Sequence, residues 1–286
     1  TVDWRVTDDN LLYALYALGT KPGGFNSTVA IEAGVPTFDE EEVDSFEIGS
    51  KNVFANGSVI ANYAAFYNDV SGYQLTQNVQ NRETGNTSSA TVNAGDADIY
   101  GLEAEIMAQL TENWRLTFNY AWADTEFTDG VDQNQGVLND VADNGFVDCS
   151  TGDQFPDVPG CTSAYGSIVG KSIPRVAEHQ AFADLEWRVP MNQGDWEFFA
   201  GANYVYESSK YAQVHNLAET GDTSLINARV GVANDTYSIQ LYGRNLTGED
   251  TPFNVLRYAE PESFRRNFAI SPRRDTFFGL IATANW

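Results

Sequence analysis

Apolar and polar residues alternate with a period of two along most of this chain, which predicts strands with one greasy face. Trp114, Leu116, Phe118, Tyr120 and Trp122 share a side; Arg115, Thr117, Asn119, Ala121 and Ala123 share the other. Tyr100, Leu102, Ala104, Ile106 and Ala108 oppose Gly101, Glu103, Glu105, Met107 and Gln109. Ala181, Ala183, Leu185, Trp187 and Val189 oppose Gln180, Phe182, Asp184, Glu186 and Arg188. Trp196, Phe198, Ala200, Ala202, Tyr204 and Tyr206 oppose Glu197, Phe199, Gly201, Asn203 and Val205. Val59–Tyr67, Ile226–Val232 and Tyr237–Leu241 behave likewise, and so does the end of the chain, where Phe278, Leu280, Ala282, Ala284 and Trp286 form the apolar side. Charge falls repeatedly on one face only. Around Leu11 both faces are apolar, so neither can be assigned to a side. The count is about eleven strands, the first a stub over 2–7.

A soluble β-sandwich alternates too, with its apolar face against a second sheet. A membrane barrel inverts the arrangement, apolar outward to lipid and polar inward. Connections separate the two. Short ones (8–10, 55–57, 111–113, 190–195, 234–235) take turns with long ones, near 26–42, 74–96, 128–173, 207–222 and 248–271. Turns on one rim and loops on the other are the outer-membrane pattern, with turns periplasmic, loops extracellular and the C-terminus periplasmic. Trp114, Trp196 and Trp286 fall beside short turns or the C-terminus, while Tyr204 and Tyr206 sit about 20–25 Å further along a tilted strand. Two aromatic girdles at membrane spacing follow. The fold class expected is all-β: a transmembrane antiparallel barrel, its roughly eleven strands about half of a larger, even-numbered one. A secreted, soluble β-sandwich binding module is the competing class.

Composition narrows function. No run of about 18 apolar residues exists for a helical span. Forty acidic against sixteen basic residues, a net charge of −24, exclude a nucleic-acid partner. No nucleophile joins His179 or His215 to a carboxylate, so no catalytic site is expected and the protein is read as a non-enzyme. Cys149 and Cys161 have too few potential ligands nearby for a metal site and read as a disulfide closing a loop, worth about 3 kcal/mol, in an oxidising compartment. No leader-like stretch opens the sequence; Thr1-Val2-Asp3-Trp4 reads as mid-strand.

Several short patterns then carry a resemblance: Ser45-Phe46-Glu47-Ile48-Gly49-Ser50-Lys51, Phe66-Tyr67-Asn68-Asp69, Tyr100-Gly101-Leu102-Glu103-Ala104-Glu105, Ile173-Pro174-Arg175, Gly243-Arg244-Asn245-Leu246-Thr247 and Pro272-Arg273-Arg274. In this order, and ending on Trp286, they resemble the C-terminal half of a TonB-dependent outer-membrane receptor, a plugged barrel transporter of about 22 strands. Lys21-Pro22-Gly23-Gly24-Phe25 resembles a loop entry of the same family.

The resemblance implies that residues 1–286 are the C-terminal part of one barrel domain, with the N-terminal strands and plug absent from this chain. It implies TonB-dependent uptake of a scarce nutrient across the outer membrane, by default an iron–siderophore complex. Alternatives are a glycan, peptide or cobalamin as cargo, or a passive porin. Expected partners are the membrane and its lipopolysaccharide, the missing N-terminal barrel and plug, and the TonB complex through that plug. Glu103, Glu105, Asp184, Glu186 and Arg188 would face the plug. Candidate substrate or partner contacts are Arg265 and Arg266 near the last loop, and Asp140, Asp143 and Asp148 in the longest one. That loop has seven Asp and no Lys or Arg between 128 and 170, which reads as a solvated acidic tip or a structural calcium site. The arginines near the last loop (Arg257, Arg265, Arg266, Arg273 and Arg274) are expected either to clamp anions or to pair with the acidic loops and interior carboxylates.

Overall fold

The alternation becomes a meander. In the computed structural model, which describes residues 1–80, 84, 87–132, 166–191, 195–259 and 266–284, the chain runs through β1 (Val2–Thr7), β2 (Asn10–Lys21), β3 (Gly24–Phe25), helix α1 (Thr28–Glu32), β4 (Thr37–Phe38), β5 (Glu41–Phe54) and β6 (Val59–Ser71). It continues through β7 (Gln74–Gln80), β8 (Thr87–Asn93), β9 (Ala97–Gln109), β10 (Trp114–Phe127), β11 (His179–Pro190) and β12 (Glu197–Glu207). Then follow β13 (Thr223–Ala233), β14 (Tyr237–Arg244), β15 (Asn254–Ala259), β16 (Arg266–Ser271) and β17 (Phe277–Ala284).

Eleven of these strands form one sheet, in the order β1-β2-β5-β6-β9-β10-β11-β12-β13-β14-β17, with adjacent strands antiparallel throughout. The expected stub at 2–7 is β1, and the edge strands β1 and β17 do not pair with each other. Six further strands are local hairpins within the long connections, β3–β4, β7–β8 and β15–β16. Those connections are thus more ordered than the loops the sequence suggests. One also carries α1, capped by the Ser27 hydroxyl, which accepts from the Ala30 N–H.

Registers assign the faces. Tyr13 pairs with Gly49, Gly49 with Ala64, Ala64 with Glu103, Glu103 with Ala121 and Ala121 with Gln180, so these residues share one side. β2, ambiguous in sequence, therefore turns Leu11, Tyr13 and Leu15 to the charged side, and Leu12, Ala14, Tyr16 and Leu18 to the other. On that apolar side no second sheet covers the chain among the described residues: Ile48 is 65% exposed and both Phe278 and Leu280 are 69%. A continuous exposed apolar face of this size requires a non-aqueous neighbour.

The buried core lies instead at the long-loop end. Val70, Ala97, Phe127, Ile168, Ile173 and Val214 pack together there, with Tyr73 edge-on to Phe127. Strand ends and the segments following β10 and β12 thus form a small cap of their own. Gly101 serves the sheet below it: a Cβ there would sit 2.2 Å from the Trp122 carbonyl oxygen, so β9 and β10 approach closely only because the side chain is absent.

Candidate functional site

The polar face carries three groups of charged side chains with different electrostatics. Over β2, β5, β6 and β9 it is acidic. The Tyr13 hydroxyl donates to Glu47 Oε1 at 2.6 Å, and Lys51 lies over the Tyr13 ring, 5.7 Å from its centre. Glu103 and Glu105 complete a shallow recess with Asn62.

Across β10 to β13 every charge is matched. Glu186 is 5% exposed and accepts from Arg115 Nη2 and Arg188 Nε at 2.8 Å each, and from Arg229 Nη2 at 2.7 Å. Arg229 also holds Asp184 through both terminal nitrogens, at 2.7 and 2.9 Å, and Arg188 reaches Glu197 at 3.5 Å. Arg229 starts on β13 and must cross β12 to reach β11. It crosses over Gly201, its register partner, where a Cβ would meet the guanidinium carbon at 2.9 Å. The planar fork and the missing side chain together make the bidentate pair.

At the long-loop end of β12, β13 and β14 lies a recess of about 500 Å³ lined by Asn203, Leu225, Asn227, Arg244, Asn245, Phe253, Pro272, Arg273 and Arg274. Arg244 and Arg274 lie over the Phe277 ring, 6.0 and 5.0 Å from its centre. Arg273 donates to the Thr251 carbonyl at 3.0 Å and to Thr223 Oγ1 at 2.9 Å. None of the three guanidiniums has a carboxylate within 4 Å among the described residues. For Arg273 and Arg274 no ion pair with an interior carboxylate is formed among the described residues, and most of the longest acidic loop lies outside them; nearby acids are held by neutral donors. Glu249 is one of these: hydrogen bonds from Thr251 and from the Ser224 N–H hold its carboxyl down at about 2, against an ordinary value of 4.5. Asn245 knots the recess floor. Buried and at positive φ, it donates to the Glu249 and Arg274 carbonyls and accepts from the Glu249 N–H. That is the structural use of the Asn-Leu pattern.

In the cap, Asp132 and His215 are 2% and 5% exposed and meet at 2.7 Å, while Lys171 Nζ donates to the His215 carbonyl at 3.2 Å. Asp132 thus departs from the solvated acidic tip expected of its neighbourhood: it is removed from water, and His215 meets it there. Asp140, Asp143, Asp148, Cys149, Cys161, Arg265 and Trp286 lie outside the described residues, as does the side chain of Arg266 at the head of β16.

Glu103, Glu105, Asp184, Glu186 and Arg188 all stand on the polar face, as their alternation requires. Arg115 and Arg229, which bind Asp184 and Glu186, were visible only as polar-side positions, since register alone brings them level. The apolar side ends in aromatics at both rims. Trp114 packs on Trp187 and Trp187 on Phe198 at the short-turn end, with Trp196 just before β12. At the opposite end Tyr16, Phe46 and Tyr67 form a row, as do Tyr100 and Trp122, and Tyr204 and Tyr206 lie at the same level. Their hydroxyls turn to polar groups at the rim: Tyr16 to Asp44, Tyr67 to Asp98, Tyr100 to Asp124 and Tyr206 to Asp222. The two rows lie at the levels where a membrane barrel carries aromatic girdles.

A family model described as "TonB dependent receptor-like, beta-barrel" matches residues 1–246, and the chain belongs to that family of outer-membrane receptors and transporters. The sheet is accordingly part of a transmembrane antiparallel β-barrel of the bacterial outer membrane, its polar face the lumen and its apolar face the lipid side. Among curated relatives, the pesticin receptor of Yersinia enterocolitica is 26% identical over 231 residues, 81% of this chain and 30% of that protein. The probable TonB-dependent siderophore receptor PiuA of Acinetobacter baumannii is 24% identical over 164 residues, 55% of this chain and 20% of that protein. The chain thus spans a third or less of the curated relatives it matches. The crystal structure of the ferric yersiniabactin uptake receptor FyuA from Yersinia pestis superposes with a TM-score of 0.70 at 17% identity, over 99% of this chain and 36% of that one. These likenesses show the fold.

Proposed function

We propose that this chain is the C-terminal half of the barrel of an outer-membrane receptor that imports a scarce nutrient, an iron–siderophore complex by default. The single observation that carries the reading is the family match over residues 1–246, and the relatives named for siderophore uptake agree with it. In this reading residues 1–286 belong to one barrel domain, completed by N-terminal strands that pair with β1 and β17. Open strand edges inside a membrane would otherwise leave backbone groups unsatisfied at several kcal/mol each. The long loops face the extracellular side, the short turns and the C-terminus the periplasm. A plug fills the lumen against Glu103, Glu105, Asp184, Glu186 and Arg188 and couples uptake to TonB.

The charged lumen supports a plugged transporter, since a matched Arg–carboxylate wall suits a protein neighbour as well as water. The test is uptake of a radiolabelled ferric chelate by iron-starved cells that depend on the intact receptor. Import that stops on collapse of the proton-motive force is expected. Import that persists makes the protein a passive pore and overturns the proposal.

A further inference from the structure

We infer that the Arg244–Arg273–Arg274 recess is a binding site for a small polycarboxylate anion carried by the imported cargo; the assignment of cargo rests on the import reading, while the anion site does not.

The lumen wall holds two sets of three arginines, and the difference between them is informative. Arg115, Arg188 and Arg229 are neutralised by Asp184, Glu186 and Glu197, with contacts of 2.7–3.5 Å. Arg244, Arg273 and Arg274 gather around one recess with no carboxylate within 4 Å among the described residues. This occurs in a chain of net charge −24, where an acidic partner is the default neighbour. Three like charges repel one another, and beyond the through-space pull of Glu249 on Arg273 nothing described offsets them, so an anion relieves the repulsion.

The geometry also matches a ligand. Arg273 is held by Thr251 and Thr223, whereas Arg244 and Arg274 rest only on the flat faces of Tyr242 and Phe277, their nitrogens free to donate. A guanidinium stacked this way is oriented without spending its donors, which suits bidentate capture of a carboxylate. Asn203 adds a neutral donor. Its carboxamide oxygen accepts from Asn227 Nδ2 at 2.7 Å, and Asn227 in turn accepts from the Asn245 N–H at 2.9 Å, so the Asn203 amide N–H groups are left for a guest. Charged and neutral donors around about 500 Å³ accommodate a citrate-sized polycarboxylate rather than a single small ion.

The experiment measures binding of citrate, of its iron(III) complex and of the cationic chelate ferrioxamine B to the intact receptor in detergent, by calorimetry at two salt concentrations. Wild-type protein should bind citrate and ferric citrate, more weakly at higher salt. Arg244→Gln and Arg274→Gln, which remove no hydrogen bond within the protein, should each weaken binding about tenfold and together about a hundredfold. Arg115→Gln serves as the control from the matched set and should leave citrate affinity within about twofold. Equal citrate affinity in wild type and the double variant, or ferrioxamine binding that the double variant weakens equally, overturns the site. Failure of the import reading registers separately: citrate binds and the variants weaken it, yet cells take up no ferric chelate.

Discussion

Replacing Glu186 by Gln should be the most damaging single-atom-scale change in the barrel wall. The carboxylate is 5% exposed and accepts three charge-assisted hydrogen bonds of 2.7–2.8 Å, from Arg115, Arg188 and Arg229. In a buried site each such bond is worth about 1.5–3 kcal/mol. The three do not add at that rate. Arg115 and Arg188 have side chains 56% and 45% exposed, so water replaces much of what they lose and their shares fall to about 0–1 kcal/mol each. Arg229, at 23% exposure, keeps its bidentate hold on Asp184 but is left beside an amide it cannot neutralise. A net loss of about 2–4 kcal/mol follows.

Urea unfolding of the barrel in detergent, followed by tryptophan fluorescence, measures this as a shift of midpoint at constant slope. A double-mutant cycle with Arg229→Met isolates the pair and should return a coupling of about 1–3 kcal/mol. A shift below about 0.5 kcal/mol, or zero coupling, would refute the reasoning by showing that lumen water screens the whole cluster.

Three further outcomes are expected. His215→Ala removes the contact to Asp132 and should loosen the cap by about 1–3 kcal/mol, read as faster hydrogen exchange at Phe127 and Ile168 with an unchanged barrel midpoint. Glu249 titrates at about 2 rather than 4.5, so its stabilisation of the last loop is complete above pH 4.5 and is lost as pH falls from 4.5 through 2. Exchange at the Ser224 and Thr251 amides over that window checks the sign, and Glu249→Gln should abolish the pH dependence. Cys149 and Cys161 are expected to form a disulfide: thiol labelling of unreduced, denatured protein should find no free thiol, and labelling of both would remove the bond.

The period-two pattern was enough to define the eleven strands of the main sheet and the polarity of most of them, though not the three hairpins in the long connections, because a strand side chain can point only one way or the other. It was also enough to put Trp114 and Tyr204 at opposite ends of their strands, since distance along a strand is local. Where both faces are apolar, as at Leu11 to Leu15, the pattern has no contrast, and only the register with Gly49 and the hydrogen bond to Glu47 turned Tyr13 inward. Likewise nothing local distinguishes Arg229 from Arg274. One crosses Gly201 to two carboxylates and the other has none within 4 Å among the described residues, because register and the long connections decide which strands stand side by side. Asp132 and His215 are 83 residues apart, a separation that no spacing rule spans. Period and composition are local and so survive in the sequence; charge pairing is a property of distance across strands, and only the folded sheet sets that distance.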